Sequence, residues 1–175
     1  MMNHFALLAK SLRLAAQYHA QQQRKSDGSP YINHLIEVVD MLVNIAHVQD
    51  ENELCAAALH DSLEDTEITK EQIANEFGIC VLEMVQALTD DKSLSLTARR
   101  ASMLEQLPTK ATSVQRIKLA DICSNASAIP CGWSRANGVA SCLLSVNDFN
   151  AEGRVKRVYS SGLMGSGLVF CFLAD

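Results

Sequence analysis

Between residues 1 and 129, apolar side chains recur three and four positions apart, the period of a helix with one face turned to a core. Phe5, Leu8, Leu12, Ala15, Ala16 and His19 mark a first such face. The stretch "SDGSP" then interrupts it with turn formers and a proline. Leu35, Val38, Val39 and Leu42 predict a second helix opening near Asn33, and a third runs from about Glu51 into "AALHDSLEDT". Thr69 with Gln72 three residues on has the form of a capping box, and Gly78 closes that short helix after "EQIANEF". Val81, Met84, Val85 and Leu88 give a fifth, "TARRASMLEQL" a sixth, and Val114, Ile117, Leu119, Ala120 and Ile122 a seventh.

No strand-like alternation persists along this length and there is no internal repeat, so the expected fold is all-α: one helical bundle. Beyond Pro130 the pattern dissolves into a segment that holds six of the eight glycines. Its apolar content is too high for typical disorder. The expected division is a domain over residues 1–134 and a divergent tail over 135–175.

Composition sharpens this picture in three places. The chain is 48% hydrophobic but only 5% aromatic, so Leu, Ala, Val and Ile must do the packing, which favours helices. A formal charge of −5 argues against nucleic-acid binding through a broad basic surface, while leaving room for a small anion in a local basic pocket. Six scattered cysteines without a CxxC pair read as reduced thiols in a cytoplasm. Lys10 and Arg13 interrupt the N-terminal apolar residues, so no signal peptide is expected there. The run "GLVFCFLA" falls far short of the ~20 residues of a membrane span, so a soluble protein is expected. The residues leave the oligomeric state open.

The chemistry concentrates in "AALHDSLEDT". His60, Asp61, Glu64 and Asp65 follow directly on the apolar run from Leu54 to Leu59. Burying an ionisable group costs several kcal/mol unless it is paired or bound to a metal. On one continuous helix all four would project to one side within about a turn. A solvated acidic face is the usual reading of such a run, and it suits Glu67, Glu71 and Glu76 better than this turn. His34, opening a helix in "YINH", and Asp121, in the apolar helix "IKLADICSN", extend the set. Singly, each would read as a satisfied core histidine or a pairing aspartate. Together, two histidines and two aspartates make a mixed nitrogen and oxygen donor set that suits Mn²⁺ or Fe²⁺ and can accept Zn²⁺.

Five words in order, "QQQRK", "GSPYINH", "AALHDSLEDT", "FGICVLEMVQALTDDKSL" and "IKLADICSN", resemble the HD-domain metal-dependent phosphohydrolases. Within that family the likeness is to the small, single-domain alarmone hydrolases of the RelA/SpoT type, over residues 1–134. The resemblance implies one Mn²⁺ held by His34, His60, Asp61 and Asp121, with Glu64 and Asp65 orienting and deprotonating the attacking water. It implies a guanosine tetra- or pentaphosphate substrate, (p)ppGpp, losing its 3′-diphosphate as pyrophosphate. Arg24, Lys25 and Asn125 match its substrate contacts. Lys118, one turn before Asp121, reads equally as a phosphate contact or a pairing lysine. Arg24 and Lys25 follow a run of glutamines and precede a Gly/Pro loop, so little packing is expected to depend on them.

Two features depart from the family pattern. Leu96 stands where relatives tend to carry a lysine, and the segment after "GWS" lacks their final helix with its arginine and aromatic residues. The rival expectations are therefore another HD nucleotide phosphohydrolase, NADPH phosphatase activity included, or a catalytically weak metal- and nucleotide-binding protein.

Overall fold

The structure, a computed structural model, describes residues 5–128. The expected domain boundary at 134 and the tail over 135–175 lie outside the described residues. Among the described residues eight α-helices follow one another: α1 (Ala6–Tyr18), α2 (Ile32–Asn44), α3 (Glu51–Ala58), α4 (Ser62–Asp65), α5 (Lys70–Phe77), α6 (Ile79–Leu88), α7 (Leu96–Gln106) and α8 (Thr112–Ser127). A 3₁₀ turn, Leu107–Thr109, joins the last two. Among the described residues there is no strand, only an isolated antiparallel bridge between Gln23 and Pro30.

The bundle is built around α3, which packs against α1, α2, α6 and α8. Its run Cys55, Ala56, Ala57 and Ala58 is fully buried, and small side chains there let four neighbouring helices approach closely. Leu35 and Leu42 from α2, Ile73 from α5, Val81 and Val85 from α6 and Ile117 from α8 complete the core. Buried Glu53 on α3 takes a two-pronged hydrogen bond from the Arg116 guanidinium, fixing α3 against α8. These two helices lead to the site, so this ion pair sets its registration.

Local signals place most boundaries. Asp50, Thr69 and Ser95 cap α3, α5 and α7 by accepting from the N–H of Asn52, Gln72 and Ala98. The capping box at Thr69 is half made: the Gln72 side chain goes to Tyr18 and Glu76 instead of back to Thr69. Gly78, at φ +91°, serves as both the end of α5 and the start of α6.

The structure corrects the sequence reading in two further places. The buried face of α1 is centred on Ser11, Leu14 and Ala15, and Phe5 and Ala16 lie outside it. More consequentially, the third helix is two. It stops at Ala58, and His60 and Asp61 sit in a turn before α4. The Ala57 carbonyl, which a continuing helix would offer to the Asp61 N–H, instead accepts from the His60 ring Nδ1 at 2.8 Å.

Candidate metal centre and catalytic carboxylates

That turn aims His60. With its Nδ1 hydrogen committed to the Ala57 carbonyl, Nε2 is the ring nitrogen left to face the site. The second histidine is fixed in the same way from the other side. His34, in the first turn of α2, donates from Nδ1 to Ser124 Oγ at 2.8 Å, and Ser124 Oγ in turn donates to Glu37 at 2.6 Å. Both Nε2 atoms are buried, and neither makes a hydrogen bond. The two rings meet edge to face with centroids 5.3 Å apart.

Asp121 of α8 faces both. Its Oδ1 lies 3.3 Å from His34 Nε2 and 3.8 Å from His60 Nε2. Donor atoms about 2.0–2.2 Å from a shared ion stand roughly 3–3.5 Å from one another, so this spacing is close to that of a metal's ligand shell. His34, His60 and Asp121 thus form a buried group, donor atoms all within 4.8 Å, that can hold a divalent ion. Asp61 adjoins it, with Oδ2 3.1 Å from His60 Nε2 and 3.8 Å from His34 Nε2. The same oxygen accepts a hydrogen bond from the Tyr31 hydroxyl.

The electrostatics call for a cation. Burial pushes the Asp61 carboxyl up, but His60 and the Tyr31 hydroxyl outweigh it and hold its pKa at about 2. Burial also opposes ionisation of Asp121, and the Lys118 ammonium with both histidines holds its pKa well below the usual range. Burial alone would keep His60 neutral, yet the charges of Asp61 and Asp121 draw its pKa well above the ordinary value. Two ionised carboxylates and two Nε2 atoms therefore face one buried point, where a divalent ion would take the place of the proton that the carboxylates draw onto His60. The donor set fits a divalent metal.

Beyond the donor set, α4 carries Glu64 and Asp65, whose carboxylates both approach the Lys92 ammonium. Glu64 is largely buried, its Oε2 accepts from the Asp90 N–H at 3.3 Å, and its Oε1 lies 3.7 Å from the Arg99 guanidinium. Burial raises its pKa, against the Asp90 hydrogen bond and with the charges of Asp61, Asp65 and Asp90. Asp65 is exposed and pairs with Lys92 at 2.7 Å, while the same ammonium holds the Glu64 carbonyl at 2.7 Å. Asp90 and Arg99, which hold Glu64, also line a cleft of about 280 Å³ together with Met103, Lys110 and Lys118.

The remaining expected residues divide. Asn125 is exposed and donates to Asp121 Oδ1 at 2.6 Å, and Lys118 pairs with Asp121 Oδ2 at 3.0 Å, so the pairing reading of that lysine holds. Lys25 is exposed. Arg24 is built into the fold, against the expectation that little depends on it. Its guanidinium bonds Glu37 at 3.0 Å and the Ser124 carbonyl at 2.8 Å, and is mostly buried. Arg24→Ala should therefore cost about 1.5–3 kcal/mol in urea unfolding, the usual cost of losing hydrogen bonds to a charged group. Lys25→Ala should stay within about 0.5 kcal/mol.

A family model for the HD domain matches residues 11–128. The chain belongs to the HD-domain family. It is similar to the guanosine-3′,5′-bis(diphosphate) 3′-pyrophosphohydrolase MESH1 of Mus musculus, 39% identical over 134 residues that cover 74% of this chain and 75% of the relative. The Drosophila melanogaster protein of that name is 37% identical over 135 residues, with 74% and 75% covered. Among solved structures, a metazoan ortholog of SpoT described as hydrolysing ppGpp superposes with a TM-score of 0.69 at 37% identity, over 74% of this chain and 76% of that one. The all-α HD fold of the sequence reading is the observed one.

Residues that the sequence reading passed over complete this HD site. Tyr31 and Ser124 lie inside the words "GSPYINH" and "IKLADICSN", and Lys92 lies in "TDDKSL". Their partners are 30, 90 and 27 residues away in the chain, respectively, so no local pattern announces them. Arg99, within the predicted helix "TARRASMLEQL", has no role in that reading.

Proposed function

We propose that this HD-domain protein is a metal-dependent pyrophosphohydrolase acting on (p)ppGpp. The observation that carries the reading is the pair of orphaned, buried Nε2 atoms facing two ionised aspartates, with a partly buried glutamate one turn beyond. The relatives' named activity supplies the substrate. His34, His60, Asp61 and Asp121 would hold the ion, with Mn²⁺ the best match and Fe²⁺ or Zn²⁺ the alternatives. A bound divalent ion would neutralise phosphate charge and make nearby water more acidic. Glu64 takes the proton from the attacking water, a role its raised pKa suits. Asp65, anchored by Lys92, helps orient that water. Water adds at the phosphorus bonded to the 3′ oxygen, and pyrophosphate leaves as the ribose regains its 3′-hydroxyl.

On the substrate side we place Lys25 and Asn125, with Arg24 behind them, and the cleft lined by Asp90, Arg99 and Lys118 gives room for an extended nucleotide. Among the described residues no helix is long and apolar enough to cross a membrane. A cytoplasmic enzyme with a small nucleotide substrate is the reading that fits. The deciding experiment incubates Mn²⁺-loaded protein with ppGpp, pppGpp, NADPH and simple nucleotides and measures pyrophosphate and phosphate separately. Pyrophosphate from ppGpp is expected; phosphate from NADPH alone would move the assignment to the rival phosphatase.

We further propose that residues 1–134 form the catalytic unit and that 135–175 are a divergent tail. Every proposed ligand lies between His34 and Asp121, so the metal site should assemble without the tail. Grafting a family-type terminal helix after Ser134 should lower KM for ppGpp with metal content unchanged. An unchanged KM would show that the native tail already closes the pocket.

A further inference from the structure

Between α1 and α2, three side chains, His19, Gln22 and Tyr31, reach the Asp61 carboxylate and the backbone of Asp65. Gln22 donates from its side-chain amide to the Asp65 backbone carbonyl at 2.7 Å. A carbonyl only accepts, so the NH₂ of Gln22 must face Asp65 and its Oε1 must face His19. His19 Nδ1, 2.7 Å from that oxygen, is therefore the donor. The His19 ring is buried and stacks on Tyr31, with centroids 5.2 Å apart and planes 28° apart. Tyr31 in turn donates its hydroxyl to Asp61, and its own N–H is held by the Gln22 carbonyl at 2.9 Å.

We propose that His19, Gln22 and Tyr31 act as one positioning unit, in which Tyr31 orients Asp61 for the metal and Gln22 sets the backbone that carries Asp65. None of the three need touch substrate. The geometry is reciprocal: Gln22 fixes Tyr31 through its main chain and Asp65 through its side chain, and His19 locks the Gln22 amide while backing the Tyr31 ring. The inference rests on the metal and carboxylate roles proposed above.

The test reads Mn²⁺ affinity of the metal-free protein by competition with a chelating dye, and turnover as pyrophosphate released from ppGpp. Tyr31→Phe should weaken Mn²⁺ binding about 10–100-fold, the usual effect of removing an outer hydrogen bond to a ligand, with the far-ultraviolet spectrum unchanged. Gln22→Ala should keep Mn²⁺ affinity and lower kcat about tenfold at saturating metal, with little change in KM. His19→Asn, which retains a donor for Gln22, should recover kcat relative to His19→Ala. Wild-type Mn²⁺ affinity in Tyr31→Phe, or wild-type kcat in Gln22→Ala, would overturn the proposal. So would equal impairment of the two His19 variants, which would reduce His19 to packing. If the parent protein releases no pyrophosphate from ppGpp, the substrate reading fails while the Mn²⁺ measurement on Tyr31→Phe still decides this one.

Discussion

Asp61→Ala or His60→Ala is expected to abolish both bound metal and turnover. Each removes a donor from a point where two imidazole Nε2 atoms and two ionised carboxylates converge. Outer hydrogen bonds to metal ligands are worth about 10–100-fold in affinity, so loss of a ligand itself should exceed that. The two variants should differ in their metal-free stability. When no ion is bound, the raised pKa of His60 lets it compensate Asp61, and it joins Lys118 in compensating Asp121. His60→Ala leaves those carboxylates facing each other, whereas Asp61→Ala removes one of them. His60→Ala should therefore be the less stable of the pair in the presence of chelator. Elemental analysis of the folded fraction is the check, and full metal occupancy in either variant would refute the ligand assignment.

How much of this was legible in the sequence depended on the range of the interactions involved. The helices of the core read directly, because Leu35, Val38, Val39 and Leu42 on α2 are buried as their period predicts. The candidate donors His34, His60 and Asp121 were also legible, since a titratable side chain within an apolar run needs a partner or an ion. The break at Leu59 was not. It follows from a ring-to-carbonyl bond between His60 and Ala57, which competes with helix continuation and leaves no trace in hydrophobic spacing. Arg24 was misjudged for a related reason: its partners Glu37 and Ser124 come from two other helices. An arginine beside a glutamine run looks solvated until those helices are in place. The same long range hid Tyr31, Lys92 and Arg99. Sequence words marked where chemistry sits, and tertiary contacts decided what each side chain there does.

Glu64→Gln separates proton transfer from metal binding, and it should lower kcat by roughly 10²–10⁴-fold with the metal retained. The carboxamide has the shape of the carboxylate, and its oxygen can still accept from the Asp90 N–H, so the side chain should stay where it is. What it loses is basicity. Glu64 is suited to the proton transfer because burial and the neighbouring carboxylates raise its pKa, bringing it closer to the water it must deprotonate. Asp65 lacks that setting, being exposed and paired with Lys92, so Asp65→Asn should cost less turnover than Glu64→Gln. Both variants should keep full Mn²⁺ content if neither residue is a ligand. Loss of metal in Glu64→Gln would make Glu64 a ligand and require a different base. A larger loss of kcat in Asp65→Asn would pass the proton to Asp65 and leave Glu64 to hold Asp90 and Arg99 in place.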